Sequence, residues 1–321
     1  MTSINTKYGI IEGISHIDYY EDHRVKECKL NKANELKTPY GILVPQYEDA
    51  DERRKHIVSV SFHNNDNIKS ISLQHQVEID TPIGTLPAEF VTFYENGNIN
   101  RLFPLNGKLT AYWTEQDELT LAKDIDFDIP IGKFSKKIIS VHFYKDRSLK
   151  SITLWPKNTV TLQTSIGDVV TRIGVSFYPD GKIKSLEPDD PIAVKTSIGT
   201  ISAYKSDAVG IHGDSNSLRF SDTGQVEALI TSTDRIEVID KNGSKKVYSP
   251  GLKRSVVDDE TMEIVPLSIE FHNNKVRFNN SPEHEYDIDE YLFNIKSSAS
   301  FKAKSLCAAC SSCLECSGGC S

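Results

Sequence analysis

The chain has 321 residues, enough for one large all-β domain or two ordinary domains with a real core. Apolar residues make up 38% and charged residues 26%, which suits a sheet with one wet face, or a repeat array, better than a compact α/β enzyme. The net charge of −8 argues against a general nucleic-acid binder, which wants a basic face.

The N-terminal stretch MTSINTKYGIIEGISHIDYYEDHR has no basic segment followed by an apolar one. No apolar run approaches the roughly 18 residues of a membrane helix. The expectation is a cytoplasmic protein without a signal peptide or membrane contact. In a reducing compartment, clustered cysteines are metal ligands or redox groups more often than disulfides.

From residue 17 onward the chain repeats itself. VSFYPDGKIKSLEP at 175–188 has relatives at 17–30 (IDYYEDHRVKECKL), 60–73 (VSFHNNDNIKSISL), 91–104 (VTFYENGNINRLFP) and 141–154 (VHFYKDRSLKSITL). Weaker copies begin at 218 and 269. Apolar–polar alternation, a turn such as Asn96-Gly97 or Asp180-Gly181, and a second alternation together predict a β-hairpin. The aligned aromatics Tyr19, Phe62, Phe93, Phe143, Phe177, Phe220 and Phe271 should line one core. A shorter element recurs between the hairpins: TPYGIL, TPIGTL, IPIGKF, TSIGDV and TSIGTI, aligning Gly41, Gly84, Gly132, Gly167 and Gly199. It reads as a short turn between two strands.

Such a unit buries its apolar face only by stacking on neighbours. The predicted fold is therefore all-β: a repeated β-hairpin meander or solenoid over 1–280, with propeller-like closure as the alternative. Uneven spacing of the aromatics favours the linear stack. The Tyr/Phe-x-Asn-Gly-x-apolar-Lys hairpins over roughly 17–280 resemble MORN-type repeats, and more narrowly the variant repeat of YwqK-type antitoxin proteins. The resemblance implies a β-hairpin repeat with a binding or scaffold role, and it carries no catalytic residue. The regular glycines of MORN units are missing, and the TPIG element lies outside that pattern.

WTEQDELTLAKDIDF at 113–127 breaks the strand pattern. Thr114 with Asp117 and Glu118 suggests a helix N-cap, with Leu119, Leu121 and Ala122 as the apolar side of a short helix over about 114–125. Tyr291, Leu292 and Ile295 have helical spacing and predict a capping helix over 281–296. Residues 297–306, small and polar, read as a flexible linker.

The tail at 307–321 holds five of the six cysteines: Cys307, Cys310, Cys313, Cys316 and Cys320. From Cys310 the spacing is C-x2-C-x2-C-x3-C, which resembles the cluster run of bacterial ferredoxins without its following proline. It suits a [4Fe-4S] cluster, and equally an all-sulfur site for Zn²⁺ or Cu(I). Three other readings stand beside it: an unliganded Cys-rich tail, disulfides, and a substrate for post-translational modification. Cys28 falls at an apolar strand position and reads as a buried structural thiol.

Other candidates are weaker. His212 and Asp214 flank a glycine and could form a catalytic or metal pair, but they sit in ordinary turn chemistry. His63 and His272 occupy a position that is Tyr in other copies, and Trp113 and Trp155 suit a core. The carboxylates of PEHEYDIDE suit a solvated face. No phosphate loop, dinucleotide fingerprint, zinc-protease or nucleophile-elbow motif is present. The expected function is a non-catalytic scaffold that binds a protein partner and presents the thiolate tail for metal or sulfur handling or electron transfer. An antitoxin-like binder with an incidental tail, and a modified precursor, are the alternatives.

Overall fold

Period-two alternation turns into antiparallel strands throughout the computed structural model, which describes residues 3–49, 53–54, 58–210, 213–255 and 262–297. Contacts group them into two units. The first holds the described residues up to Glu187, those of Val209–Asn216, and Asp222–Gly224. The second holds Pro188–Ala208, Ser217–Ser221 and the described residues from Gln225 onward.

In the first unit, one sheet runs through Ile14–Tyr19, Val25–Leu30, Val60–Phe62, Ile68–Thr81, Gly84–Phe93, Ile99–Phe103, Ile138–Phe143, Leu149–Leu154, Gly167–Phe177 and Ile183–Pro188. Spatial order follows chain order along an open path that is not a closed barrel. The first five predicted hairpins are all in it. Their loops share one geometry. At Tyr94, the backbone N–H donates to the Asn98 carbonyl (2.8 Å), and the Gly97 N–H donates back to the Tyr94 carbonyl (2.9 Å). The loops at Tyr20, His63, Tyr144 and Tyr178 repeat both bonds. The fourth loop residue takes positive φ: Gly97 at 84° and Gly181 at 85° adopt it freely, whereas Arg147 at 75° takes it with a side chain.

The first loop residue also ties each hairpin to the next. The hydroxyls of Tyr20, Tyr94 and Tyr144 donate to the carbonyls of Phe62, Phe143 and Phe177, at 2.8, 2.9 and 2.8 Å. His63 fills this position with Nε2 2.8 Å from the Phe93 carbonyl. Its kinship with tyrosine in the repeat is thereby explained. Phe62, Phe93, Phe143 and Phe177 are buried, each contributing about 1.5–3 kcal/mol of burial. Tyr19, on the edge strand, is 51% exposed, so the aligned aromatics do not all reach a core.

The second repeated element also forms hairpins: Leu36–Thr38 with Gly41–Leu43, and Ile125–Ile129 with Gly132–Lys136. Thr38 Oγ1 donates to the Gly41 carbonyl (2.9 Å), and Thr81 and Thr164 do the same toward Gly84 and Gly167. Thr6 and Gly9 form a further copy. The tips meet the large hairpins. Tyr40 hydroxyl accepts from the Ile99 N–H (3.2 Å), and its ring lies 5.6 Å from Phe93.

Glu115–Leu121 is the only α-helix among the described residues. Thr114 caps it in a reciprocal box with Asp117, as the motif predicts. The expected apolar side forms only in part: Ala122, at the C-cap, is buried and Leu119 half-buried, but Leu121 is exposed, and the buried residue within the helix is Glu118.

The second unit holds a sheet ordered Glu285–Asp287, Lys275–Phe278, Leu267–His272, Val226–Thr231, Leu218–Phe220. A three-stranded sheet, Lys245–Tyr248, Asp234–Ile239 and Leu292–Ser297, lies beside it, with Tyr248 stacked on Phe278 at 4.2 Å. The predicted 281–296 helix is therefore corrected to a 3₁₀ turn, Pro282–His284, and two strands. The helical spacing of Tyr291, Leu292 and Ile295 is coincidental. Phe293 and Ile295 alternate with exposed Leu292, Asn294 and Lys296, and Ile295 pairs with Ile236. PEHEYDIDE is not a bare solvated face either. Glu285 pairs with Lys275 (3.0 Å) and Arg277, and Asp289 accepts from Asn274 (2.7 Å).

Candidate functional site

The register of the first unit's sheet sorts its residues into rows. Ile17, Cys28, Val60, Ile71, Val91, Leu102, Val141, Ile152 and Val175 are successive cross-strand partners and form an apolar row. The row one residue away reads Asp18, Glu27, Ser61, Ser70, Thr92, Arg101, His142, Ser151, Ser176. Adjacent residues of a strand face opposite sides, so these two rows mark two faces of one sheet. The hydroxyls bond across the strands: Ser61 to Ser70, and Ser176 to Ser185, both at 2.6 Å.

Arg101 and His142 stand where most of the neighbouring copies carry Ser or Thr, and Asp214 completes a cluster with them. His142 Nδ1 lies 2.8 Å from Asp214 Oδ1 and 2.9 Å from Arg101 Nη2; Asp214 Oδ1 also accepts from the Ser151 hydroxyl, and Oδ2 accepts from Arg101. His142 Nε2 lies 2.9 Å from Asn100 Oδ1 and 3.5 Å from the Tyr94 hydroxyl. Burial alone would raise the Asp214 carboxyl. The bonds from His142 and Ser151 and the charge of Arg101 instead hold it well below the usual carboxylate range. Its side chain is 27% exposed, so the cluster keeps an open edge.

Gly213 brings Asp214 there. Its N–H donates to Thr153 Oγ1 (2.8 Å), and a Cβ on it would lie 2.4 Å from the Ile152 carbonyl oxygen. Only a glycine lets the chain approach the sheet so closely. Ser151 gives its proton to Asp214 rather than to His142, so the cluster lacks the serine-to-imidazole hydrogen bond that activates a nucleophile. It is built to hold one carboxylate with three donors.

A second ionic cluster anchors the helix. Arg53 meets Glu89 at 2.7 Å and Glu118 at 2.7 Å, while Glu118 also accepts from the Gly107 N–H (2.8 Å) and Trp113 Nε1 (2.7 Å). Burial would raise the Glu118 carboxyl, but the bonds from Arg53 and Trp113 keep it below its ordinary value. Trp113 is thus a hydrogen-bond donor to an ion cluster; Trp155 is buried as predicted.

Two clefts lie along the polar row and share Lys69, Ser70 and Phe90. One, about 410 Å³, extends to Arg54, Glu27 and Lys108. The other, about 510 Å³, extends to Tyr94, Asn100 and Lys145. Both fall in the size range of small-molecule sites.

Cys307, Cys310, Cys313, Cys316 and Cys320 lie outside the described residues, as does His212. Among the described residues, no group of three His, Cys, Asp or Glu side chains is placed to hold a metal, and no helix is long and apolar enough to cross a membrane. Cys28 is buried in the apolar row, and burial pushes its thiol up to about 12, consistent with an inert structural group. His63 is half-buried and bonded; His272 is exposed. No sequence motif marks Arg101, His142, Arg53 or Glu89. The first two leave a weak signal: each departs from the Ser/Thr that most of the aligned central repeats carry, as Asp18 and Glu27 of the first repeat also do. Arg53 and Glu89 leave no such mark.

Comparison with models of known families, with curated proteins and with solved structures finds no match.

Proposed function

We propose that the protein is a non-catalytic binding scaffold of repeated β-hairpins, an open solenoid-like stack, that carries a thiolate tail. The carrying observation is the polar row across the first unit's sheet, lined with clefts, whose best-placed hydroxyl, Ser151, is committed to a carboxylate. That is a surface made to bind rather than to attack. In this reading the scaffold works in the cytoplasm, docks a protein partner, and offers Cys307, Cys310, Cys313, Cys316 and Cys320 to a [4Fe-4S] cluster, Zn²⁺ or Cu(I), for metal or sulfur handling or electron transfer. The C-x2-C-x2-C-x3-C spacing supports thiolate ligation.

Anaerobic purification followed by metal and acid-labile sulfide analysis tests the tail. The full chain should retain metal held by about four thiolates, and a chain lacking 306–321 should lose it. Equal metal in both would overturn the metal role. A partner that copurifies with both chains would place docking on the body. A mass shift on the tail of protein from the native host would replace metal binding with modification.

A further inference from the structure

Arg53 and Arg54 are adjacent in sequence and opposite in circumstance. Arg53 is matched by two carboxylates. Arg54 is only 3% exposed, yet among the described residues it touches no carboxylate. Its Nη2 donates to the Leu73 carbonyl (2.6 Å) and its Nη1 to the Gln74 carbonyl (3.3 Å). Its Nε–H is buried and has no hydrogen-bond partner among the described residues. A buried cation without a counter-ion is costly, and so is a buried donor left unpaired. Burial accordingly lowers the guanidinium's proton affinity, the reverse of what a paired arginine shows.

Arg54 lines the 410 Å³ cleft. Lys69 and Lys108 stand at its rim, both exposed, and neither forms an ion pair among the described residues. Glu27 is the one carboxylate of the lining. Three cations and one anion line the cleft, in a chain whose net charge is −8, while Glu89 and Glu118 act on Arg54 without touching it. Ser72 offers a hydroxyl there, and half-buried Phe90 presents a ring shared with the neighbouring cleft.

We propose that this cleft binds a small phosphate monoester, its phosphoryl group facing Arg54, Lys69 and Lys108, and its apolar or aromatic body lying against Phe90. A phosphate monoester carries about −1.5 to −2 charges at neutral pH, which a cationic lining favours. The ring and the cleft volume leave room for more than inorganic phosphate. The inference is independent of the thiolate tail.

Calorimetric titration of the full-length protein with phenyl phosphate, inorganic phosphate, benzoate and phenol tests it. Phenyl phosphate should bind one per chain, about tenfold tighter than inorganic phosphate, and more weakly at high salt. Phenol should show no binding. The double variant Lys69→Ala, Lys108→Ala changes only exposed rim residues. It should melt like the parent and bind phenyl phosphate at least about tenfold more weakly, the loss expected for charged hydrogen bonds. Absence of binding, equal affinity for benzoate, or undiminished affinity in the double variant would each overturn the proposal.

Discussion

Two ion clusters in the first unit solve opposite charge problems. Around Arg53, one cation is shared by two carboxylates, and the carboxylates also take N–H groups from Asn106, Gly107 and Trp113. Around Asp214, one carboxylate is shared by Arg101, His142 and Ser151. The first cluster is closed: the Arg53 side chain is 14% exposed and that of Glu118 only 3%. It joins three chain segments that are far apart in sequence, and it substitutes for the apolar side that the helix lacks. The second lies on a regular strand row and keeps an open edge. A polar group buried between insertions thus serves as a fastener, whereas the same chemistry on a repeat row serves as a surface.

Breaking the closed cluster should cost most. Arg53→Met strands two neighbouring buried carboxylates, and urea denaturation should show a loss of about 3–5 kcal/mol. A loss below about 1 kcal/mol would mean the carboxylates hold the helix without their arginine.

The open cluster should cost less and respond to acid. Asp214→Asn should remove about 1–3 kcal/mol near neutrality, where the carboxylate accepts all its bonds. The Asp214 carboxyl is depressed in the folded chain from an ordinary value of 3.8, so its contribution is complete above that pH and is lost as pH falls toward the folded value. Stability curves of parent and variant should run parallel above about pH 5 and converge below the unfolded value. Curves that stay parallel into acid would show that Asp214 is not the group responsible.

The smallest effect belongs to the regular hairpins, where the same tie is repeated. Tyr144→Phe removes one hydroxyl-to-carbonyl bond to Phe177 and should cost about 0.5–1.5 kcal/mol by thermal or urea melting. A cost as large as that of Arg53→Met would erase the contrast between repeated ties and single fasteners.

Several features are legible in the chain because their causes are local. Alternation and the Asx-containing loops produce the hairpins, with Asn96 Oδ1 accepting from the Asn98 N–H inside its own turn (3.1 Å). Thr114 and Asp117 cap a helix from four residues of sequence. Over 281–296 the apolar residues fit both a helical and a strand period. Pairing of Ile295 with Ile236, a contact distant in sequence, selects the strand.

Sequence alone determined the β-hairpins, the capped helix after Thr114 and the cysteine-rich tail, since alternation, turn chemistry and capping act over a few residues. Tertiary structure alone decided which polar residues meet. Strand register aligned Arg101, His142 and Ser151, the close approach at Gly213 brought Asp214 onto them, and packing gave Arg53 two carboxylates while Arg54 touches none among the described residues. The physical reason is that charge pairing depends on distances of about 3 Å between groups that the chain separates by tens of residues.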